Sequence, residues 1–123
     1  MRRLLLLILA LLINNVVFFS EESFLDNANT AEIAKQGYFR FIEENIDDLD
    51  VNAIDEHNKT SLIYACGYGN YNLVRVLLDH NSSINHIDIN GNTALMEAAR
   101  SSNWKIAQYL LKMGADIDIA NKN

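Results

Sequence analysis

The sequence predicts an all-α solenoid, built from helix-loop-helix units that are joined by β-hairpin-like turns. First, the stretch NKTSLIYACGYGN at 58–70 recurs thirty-three residues later as GNTALMEAARSSN at 91–103, and periods of this length are typical of repeat arrays. Second, apolar residues in the second half of each unit follow helical spacing and form a single stripe. These residues are Leu73, Val74, Leu77 and Leu78 in one unit, and Ile106, Ala107, Leu110 and Leu111 in the next.

Residues 1–20 have the layout of a secretory signal peptide. Two arginines precede the apolar core Leu4–Ile13, and polar residues begin at Ser20, as in signals that direct export. The whole apolar stretch is shorter than the roughly 20 residues of a membrane-spanning helix. Because Phe18 is not the small residue expected two positions before a cut at Ser20, an uncleaved N-terminal anchor is the alternative. We expect an exported protein, periplasmic or secreted, that meets the membrane only if this segment stays uncleaved. A linker at 21–28 follows.

Charge and cysteine content exclude several classes of protein. The formal net charge is −6, and removing the signal with its two arginines leaves −8. Binding to nucleic acid needs clustered lysine and arginine, so we expect no nucleic-acid partner. The single cysteine, Cys66, cannot form an internal disulfide, so the fold must be stable without one. Its place in the repeat predicts a small, buried packing residue.

The first unit spans residues 29–54 and is degenerate. Its stretch AKQGYFRFIEENIDDLDVN predicts a helix, a loop, a second helix and a closing extended piece, with six residues in equivalent positions. These are Ala34, Gly37, Ile42, Ile46, Val51 and Asn52. The unit lacks the Thr-x-Leu opening of the later units, and its spacing from Gly37 to Val51 is one residue shorter than that from Gly69 to Ile84. We expect it to cap the array.

The two full units span residues 55–87 and 88–120, and residues 121–123 form a tail. Thr60 and Thr93 are placed to cap the first helix of each unit, and the stretches GYGN and RSSN end that helix. The second helix closes near Asn81 and Gly114, residue types that tolerate the left-handed backbone conformation after a helix. A short extended piece then leads to a tight turn, at DEHNK or DINGN.

The unit resembles an ankyrin repeat, and the resemblance covers about residues 29–121. The direct matches in the last unit are Asp88, Gly91, Thr93, Leu95, Ala98, Ala99, Leu110, Leu111, Gly114, Ala115 and Asp116. The matches in the preceding unit are Asp55, Thr60, Leu62, Ala65, Gly69, Leu77, Leu78 and Asn85. Four positions depart from the family pattern: Ser61 and Ala94 replace its prolines, and Ile63 and Met96 replace the histidine that follows.

These departures bear on stability more than on fold. A proline at the first helical turn presets its conformation, so we expect its absence to cost some stability. Asn58 replaces the turn glycine of the first full unit and can still adopt a positive φ. The sequence stops after starting another turn, without a polar capping repeat. Such arrays need about three repeats. We therefore expect that the fold is marginally stable or is completed by a partner. The alternative is that the chain is a shortened relative of longer arrays.

The sequence predicts no enzyme, metal site or cofactor. The three histidines lack the spacing of zinc ligands. Asp47, Asp48 and Asp50 lack the glycine and the distal glutamate of a calcium loop. The serines lie in helix openings and connections rather than in a nucleophile motif, and Gly67 and Gly69 have no phosphate-binding lysine after them.

Ankyrin-like arrays bind other proteins through their turn tips and concave helix face, so the resemblance implies a non-catalytic module with an unidentified protein partner. The partner-binding residues carried over are Lys35, Gln36, Glu56, His57, Lys59, Tyr64, Gly67, Tyr68, Ile89, Asn90, Asn92, Glu97, Arg100 and Ser101. Tyr64 and Tyr68 either contact the partner or fill a groove. We assign Phe39, Tyr71 and Trp104 to packing between repeats. The alternatives are a membrane-anchored structural or protective accessory protein of the envelope, or a decayed fragment of a longer array.

Overall fold

The computed structural model describes residues 28–119, which form three stacked helix pairs. The pairs are α1 (Thr30–Lys35) with α2 (Phe39–Glu44), α3 (Ser61–Tyr68) with α4 (Tyr71–Asp79), and α5 (Ala94–Arg100) with α6 (Trp104–Lys112). A 3₁₀ turn, Ile46–Asp48, follows α2. This part of the chain contains no strand, and none of its helices is long and apolar enough to cross a bilayer. The predicted signal peptide, most of the linker and the tail lie outside the described residues.

Local side-chain chemistry starts each inner helix, α1, α3 and α5. Thr60 accepts a hydrogen bond from the Ile63 amide at 3.4 Å, and Thr93 accepts one from the Met96 amide at 3.2 Å. Both predicted caps are therefore confirmed. In the first unit Asn29 replaces the missing threonine, because its side chain accepts from two amides of the first turn of α1.

Left-handed residues end the helices as the sequence predicts. Asn81 has φ 65° and Gly114 has φ 98°. The residue after each donates its amide to a carbonyl in the last helical turn, at 3.0 Å after α4 and 2.9 Å after α6. These bonds satisfy carbonyl groups that a helix end leaves free. Gly69 and Ser102 close α3 and α5 in the same way, with φ of 80° and 59°.

The turns between repeats are tight and hairpin-like. The amide of Asp55 donates to the carbonyl of Lys59 at 3.1 Å, and the same bond recurs between Asp88 and Asn92 at 3.0 Å. Asn58 has φ 58°, which confirms the positive φ predicted for it. Its side chain also donates to the carbonyl of Ile87 in the next turn at 2.9 Å, so it joins neighbouring turns, which a glycine could not do.

Side chains from successive repeats build one continuous core. Its central residues are fully buried: Ala34, Ile42, Leu62, Ala65, Cys66, Leu73, Val74, Leu77, Ala98 and Leu110. The burial of Cys66 confirms its predicted packing role. Phe39 packs edge-to-face on Tyr68, and Tyr71 packs likewise on Tyr109, with ring centroids 5.3 and 5.4 Å apart.

The packing role predicted for Trp104 is wrong. Its side chain is 63% exposed, although it occupies the same repeat position as Tyr71. Tyr71 is covered because the third repeat stacks against it, and no described residue occupies the corresponding place beside Trp104.

Candidate functional site

A cleft of about 210 Å³ lies between α3 and α5 on the inner helix row. Its walls come from equivalent positions of successive repeats, because Tyr64 and Tyr68 of α3 stand thirty-three residues before Glu97 and Ser101 of α5. The full lining is Lys59, Ile63, Tyr64, Gly67, Tyr68, Glu97 and Ser101. Six of these seven are residues for which the sequence predicts partner contacts, so the fold brings a large part of the predicted set together.

Tyr64 connects the turn tip to the wall of the cleft. Its hydroxyl donates to Oδ2 of Asp55, whose Oδ1 accepts from the amides of His57 and Lys59, each at 2.9 Å. Burial alone would raise the pKa of Asp55, but the hydrogen bonds from Tyr64 and the two amides outweigh it and lower that pKa. Burial and the Asp55 carboxylate together raise the pKa of Tyr64 well above its usual 10. The hydroxyl therefore stays protonated and anchors the ring.

Tyr68 is the exposed aromatic wall of the cleft. Its side chain is 59% exposed, yet its hydroxyl donates to the carbonyl of Lys35 at 3.0 Å. Together with the edge contact to Phe39, this bond holds the ring in one orientation.

The floor of the cleft is open because Gly67 has no side chain. A Cβ atom at this position would lie 3.4 Å from Oε2 of Glu97. The other oxygen of Glu97 accepts from Nη1 of Arg100 at 2.7 Å. Nη2 of Arg100 in turn donates to Asn92 at 3.2 Å. Asn92, a predicted contact residue, is only 4% exposed, so its side chain supports Arg100 instead of presenting a surface of its own.

Comparison with known proteins identifies the repeat. The family description "Ankyrin repeats (3 copies)" matches residues 30–121. The chain belongs to the ankyrin repeat family. No curated protein matches it. Ankyrin repeats are generally protein–protein interaction modules, and the family is typically non-enzymatic. Three copies are about the number that a stable solenoid needs.

The remaining predicted contacts of this ankyrin array lie at the turn tips and on α1. Lys35 forms an ion pair with Glu56 at 2.9 Å, which joins α1 to the first tip. The amide of Ile89 donates to the carbonyl of His57 at 2.9 Å, which joins the two tips. Ile89 is 55% exposed, and Gln36 and Asn90 are also exposed. The tips and the cleft therefore form adjoining surfaces of the array.

Sequence reasoning missed two contributors to the site. Ile63 lines the cleft, although it is 2% exposed and stands where the ankyrin pattern has histidine. Asp55 is 9% exposed and positions both the tip and Tyr64. Its recurrence as Asp88 was the available signal, because a carboxylate at the start of a turn often organises the amides that follow. Among residues 28–119, no group of three His, Cys, Asp or Glu side chains could hold a metal ion.

Proposed function

We propose that this ankyrin array binds a protein partner through its turn tips and concave helix face, with the cleft between α3 and α5 as the central contact. The observation that carries the proposal is that recurring and non-recurring residues of α3 lie on different faces of the helix. Residues that recur between repeats, such as Leu62 and Ala65, are fully buried. Residues that do not recur, such as Tyr64 and Tyr68, line the cleft. Variable side chains on a rigid repeated backbone favour recognition of one partner.

Tyr68 is the expected anchor of binding. Energetic hot spots of protein interfaces are enriched in tyrosine and lie at pockets that become fully desolvated. Tyr68 is largely exposed in the free chain and borders a cleft that can take one partner side chain. The remaining lining mixes charged and apolar groups, as interfaces commonly do.

A displayed library of random peptides, selected on the full chain, tests this proposal. Selected peptides are titrated against the full chain, Tyr68→Ala and Gly67→Met, which respectively remove the anchor and fill the cleft. We expect each variant to weaken binding by about tenfold or more. Trp104→Ala is the matched control, because it removes a similarly exposed aromatic side chain from another face, and it should leave affinity within about twofold. Selection of no peptide, or equal affinity for all variants, contradicts the proposal.

We further propose that the array acts outside the cytoplasm, directed there by residues 1–20. A fusion of this segment to a phosphatase that is active only after export tests the proposal. Export with a mature N-terminus near residue 21 supports a periplasmic or secreted protein, whereas export without trimming supports the membrane-anchored alternative. An inactive fusion rejects export. Unfolding of the full chain without cooperativity would favour the decayed-fragment alternative over a working module.

A further inference from the structure

The cleft between α3 and α5 has a carboxylate at its floor. One oxygen of Glu97 accepts from Nη1 of Arg100 at 2.7 Å, which is the ion pair that this carboxylate forms within residues 28–119. The other oxygen, Oε2, lies 3.4 Å from the place that a Cβ of Gly67 would occupy. The Glu97 side chain is only 14% exposed. The cleft therefore contains a negative charge that is largely shielded from water, with one oxygen turned toward α3.

Two aromatic rings stand beside this carboxylate. Tyr64 and Tyr68 line the same cleft, and the face of an aromatic ring attracts cations. The chain already uses this attraction, because Nζ of Lys59 lies over the Tyr64 ring, 5.5 Å from its centroid. Tyr68 is 59% exposed, so much of its ring surface is open to a partner. The floor and the walls of the cleft thus attract positive charge.

The one cation that lines the cleft, Lys59, is loosely held. Its ammonium forms no ion pair with a carboxylate of residues 28–119, and its flexible side chain can turn from Tyr64 toward solvent when another cation enters. An incoming anion would meet Glu97 and, behind Tyr64, the carboxylate of Asp55. The whole chain has a net charge of −6. Because interfaces pair surfaces of opposite potential, these charges favour a basic partner.

We propose that the cleft takes one basic side chain of the protein partner, an arginine or a lysine, bound by Glu97 and by the rings of Tyr64 and Tyr68. This inference rests on the proposed function, since it names the chemistry that the same cleft recognises. Opposite charges attract more strongly in a site shielded from water than in bulk solvent. A planar guanidinium can also stack on a ring while it donates to a carboxylate, so arginine fits this site best.

Peptides selected on the full chain from a displayed random library test the inference. Each peptide is titrated by calorimetry as selected and with its arginines and lysines replaced one at a time by glutamine. We expect one replacement per peptide to weaken binding by about tenfold or more, and to cost only about twofold on Glu97→Gln, because its partner charge is gone. This change on the peptide leaves the array itself intact.

Two outcomes separate this inference from the proposed function. Peptides that lose affinity on Tyr68→Ala but contain no basic residue, or tolerate its replacement, overturn the inference and leave the proposed function standing. Selection of no peptide contradicts the proposed function and the inference together.

Two variants that break the same ion pair distinguish recognition from structural support. Glu97→Gln removes the carboxylate, whereas Arg100→Gln keeps it and removes its resident cation. Glu97→Gln should weaken basic peptides by about tenfold, and Arg100→Gln should tighten their binding by about twofold or more. Equal weakening by both variants would mean that the ion pair only supports the fold, and it would overturn the inference.

Two further variants test the sign and the place of the charge. Lys59→Gln removes the positive charge beside Tyr64, so it should tighten basic peptides; weaker binding would show that an acidic group enters the cleft and would refute the inference. Glu44→Gln is the matched control, because Glu44 also pairs with an arginine of its own helix, Arg40, at 2.8 Å but does not line the cleft. It should leave affinity within about twofold. A loss equal to that of Glu97→Gln would reveal a general charge effect instead of a site.

Discussion

Replacing Tyr64 with phenylalanine removes one hydroxyl from the junction between the turn and α3. The expected loss of stability depends on the group that accepts a hydrogen bond from this hydroxyl. The hydroxyl donates to Oδ2 of Asp55, a side chain that is 9% exposed. A hydrogen bond to a charged group contributes roughly 1.5–3 kcal/mol. Because Tyr64 is only half-buried and water can partly replace it, we expect Tyr64→Phe to lower the free energy of unfolding by about 1–2 kcal/mol. For a domain of this size that corresponds to a fall in Tm of roughly 5–15 °C.

The third repeat offers the converse experiment. Asp88 stands in the position of Asp55, and its Oδ2 is buried without a hydrogen-bond partner among the described residues. The reason is that Glu97 occupies the position of Tyr64. Glu97→Tyr places a hydroxyl where it can donate to that oxygen. It also removes the ion pair between Arg100 and Glu97, whose side chains are 55% and 14% exposed, and this loss offsets part of the gain. We expect a net stabilisation of about 0.5–1 kcal/mol.

The pH dependence follows from the lowered pKa of Asp55. Its folded-state pKa lies below the ordinary value of 3.8, so its contribution to stability is fully present above that value. It is lost as the pH falls through the folded-state pKa. The difference between the native chain and Tyr64→Phe should therefore be constant near neutral pH and shrink below about pH 3.8.

Urea denaturation followed by circular dichroism measures these differences. Equal stability of Tyr64→Phe and the native chain at pH 7 would refute the structural role of the hydroxyl. A stability gap that does not change with acidification would show that Asp55 is not the group involved.

Two further predictions concern α3. Gly69→Ala should lower the free energy of unfolding, measured by urea denaturation, more than Gly37→Ala does. Both positions have positive φ, which costs about 1–2 kcal/mol for alanine, but only at Gly69 would the new Cβ lie 3.0 Å from the side chain of Asn103. That side chain donates to the carbonyl of Cys66 at 2.8 Å. Equal losses would mean that Asn103 moves aside freely. Burial, together with the nearby charge of Glu97, raises the pKa of the Cys66 thiol to about 12. A thiol reagent at pH 8 should therefore modify Cys66 only at the rate of unfolding. Rapid modification of the folded chain would contradict the buried position of Cys66.

The helix boundaries could be predicted from sequence because they depend on neighbours in the chain. A threonine cap and the amide it accepts from are three residues apart, as Thr60 and Thr93 show. A left-handed residue after a helix acts over a similarly short range, as at Asn81 and Gly114. The first unit lacks the Thr-x-Leu opening, and Asn29 caps its first helix instead by accepting from the amides of Ala31 and Glu32. Local chemistry accepts several residue types there, so the pattern alone did not reveal it.

The site could be predicted only in part. The positions that line the cleft follow from the repeat register, but their accessibility depends on what packs beside them. Asn92 is buried under Arg100, and Tyr64 is tied to Asp55, whereas Tyr68 remains largely open. These differences in accessibility arise from side-chain contacts between residues that are several positions apart in one repeat or lie in two repeats. The spacing of residue types in the sequence does not predict such contacts.

By itself, the sequence determined the repeat, its thirty-three-residue register and the helix ends, because these are set by spacing and short-range hydrogen bonds. Only the tertiary structure decided which surfaces are free. Tyr71 and Trp104 hold the same repeat position, yet only Trp104 is 63% exposed. The physical reason is that burial of a side chain depends on the neighbouring repeat as well as on the residue itself. An aromatic side chain is part of the core where another repeat covers it, and it is exposed where none does.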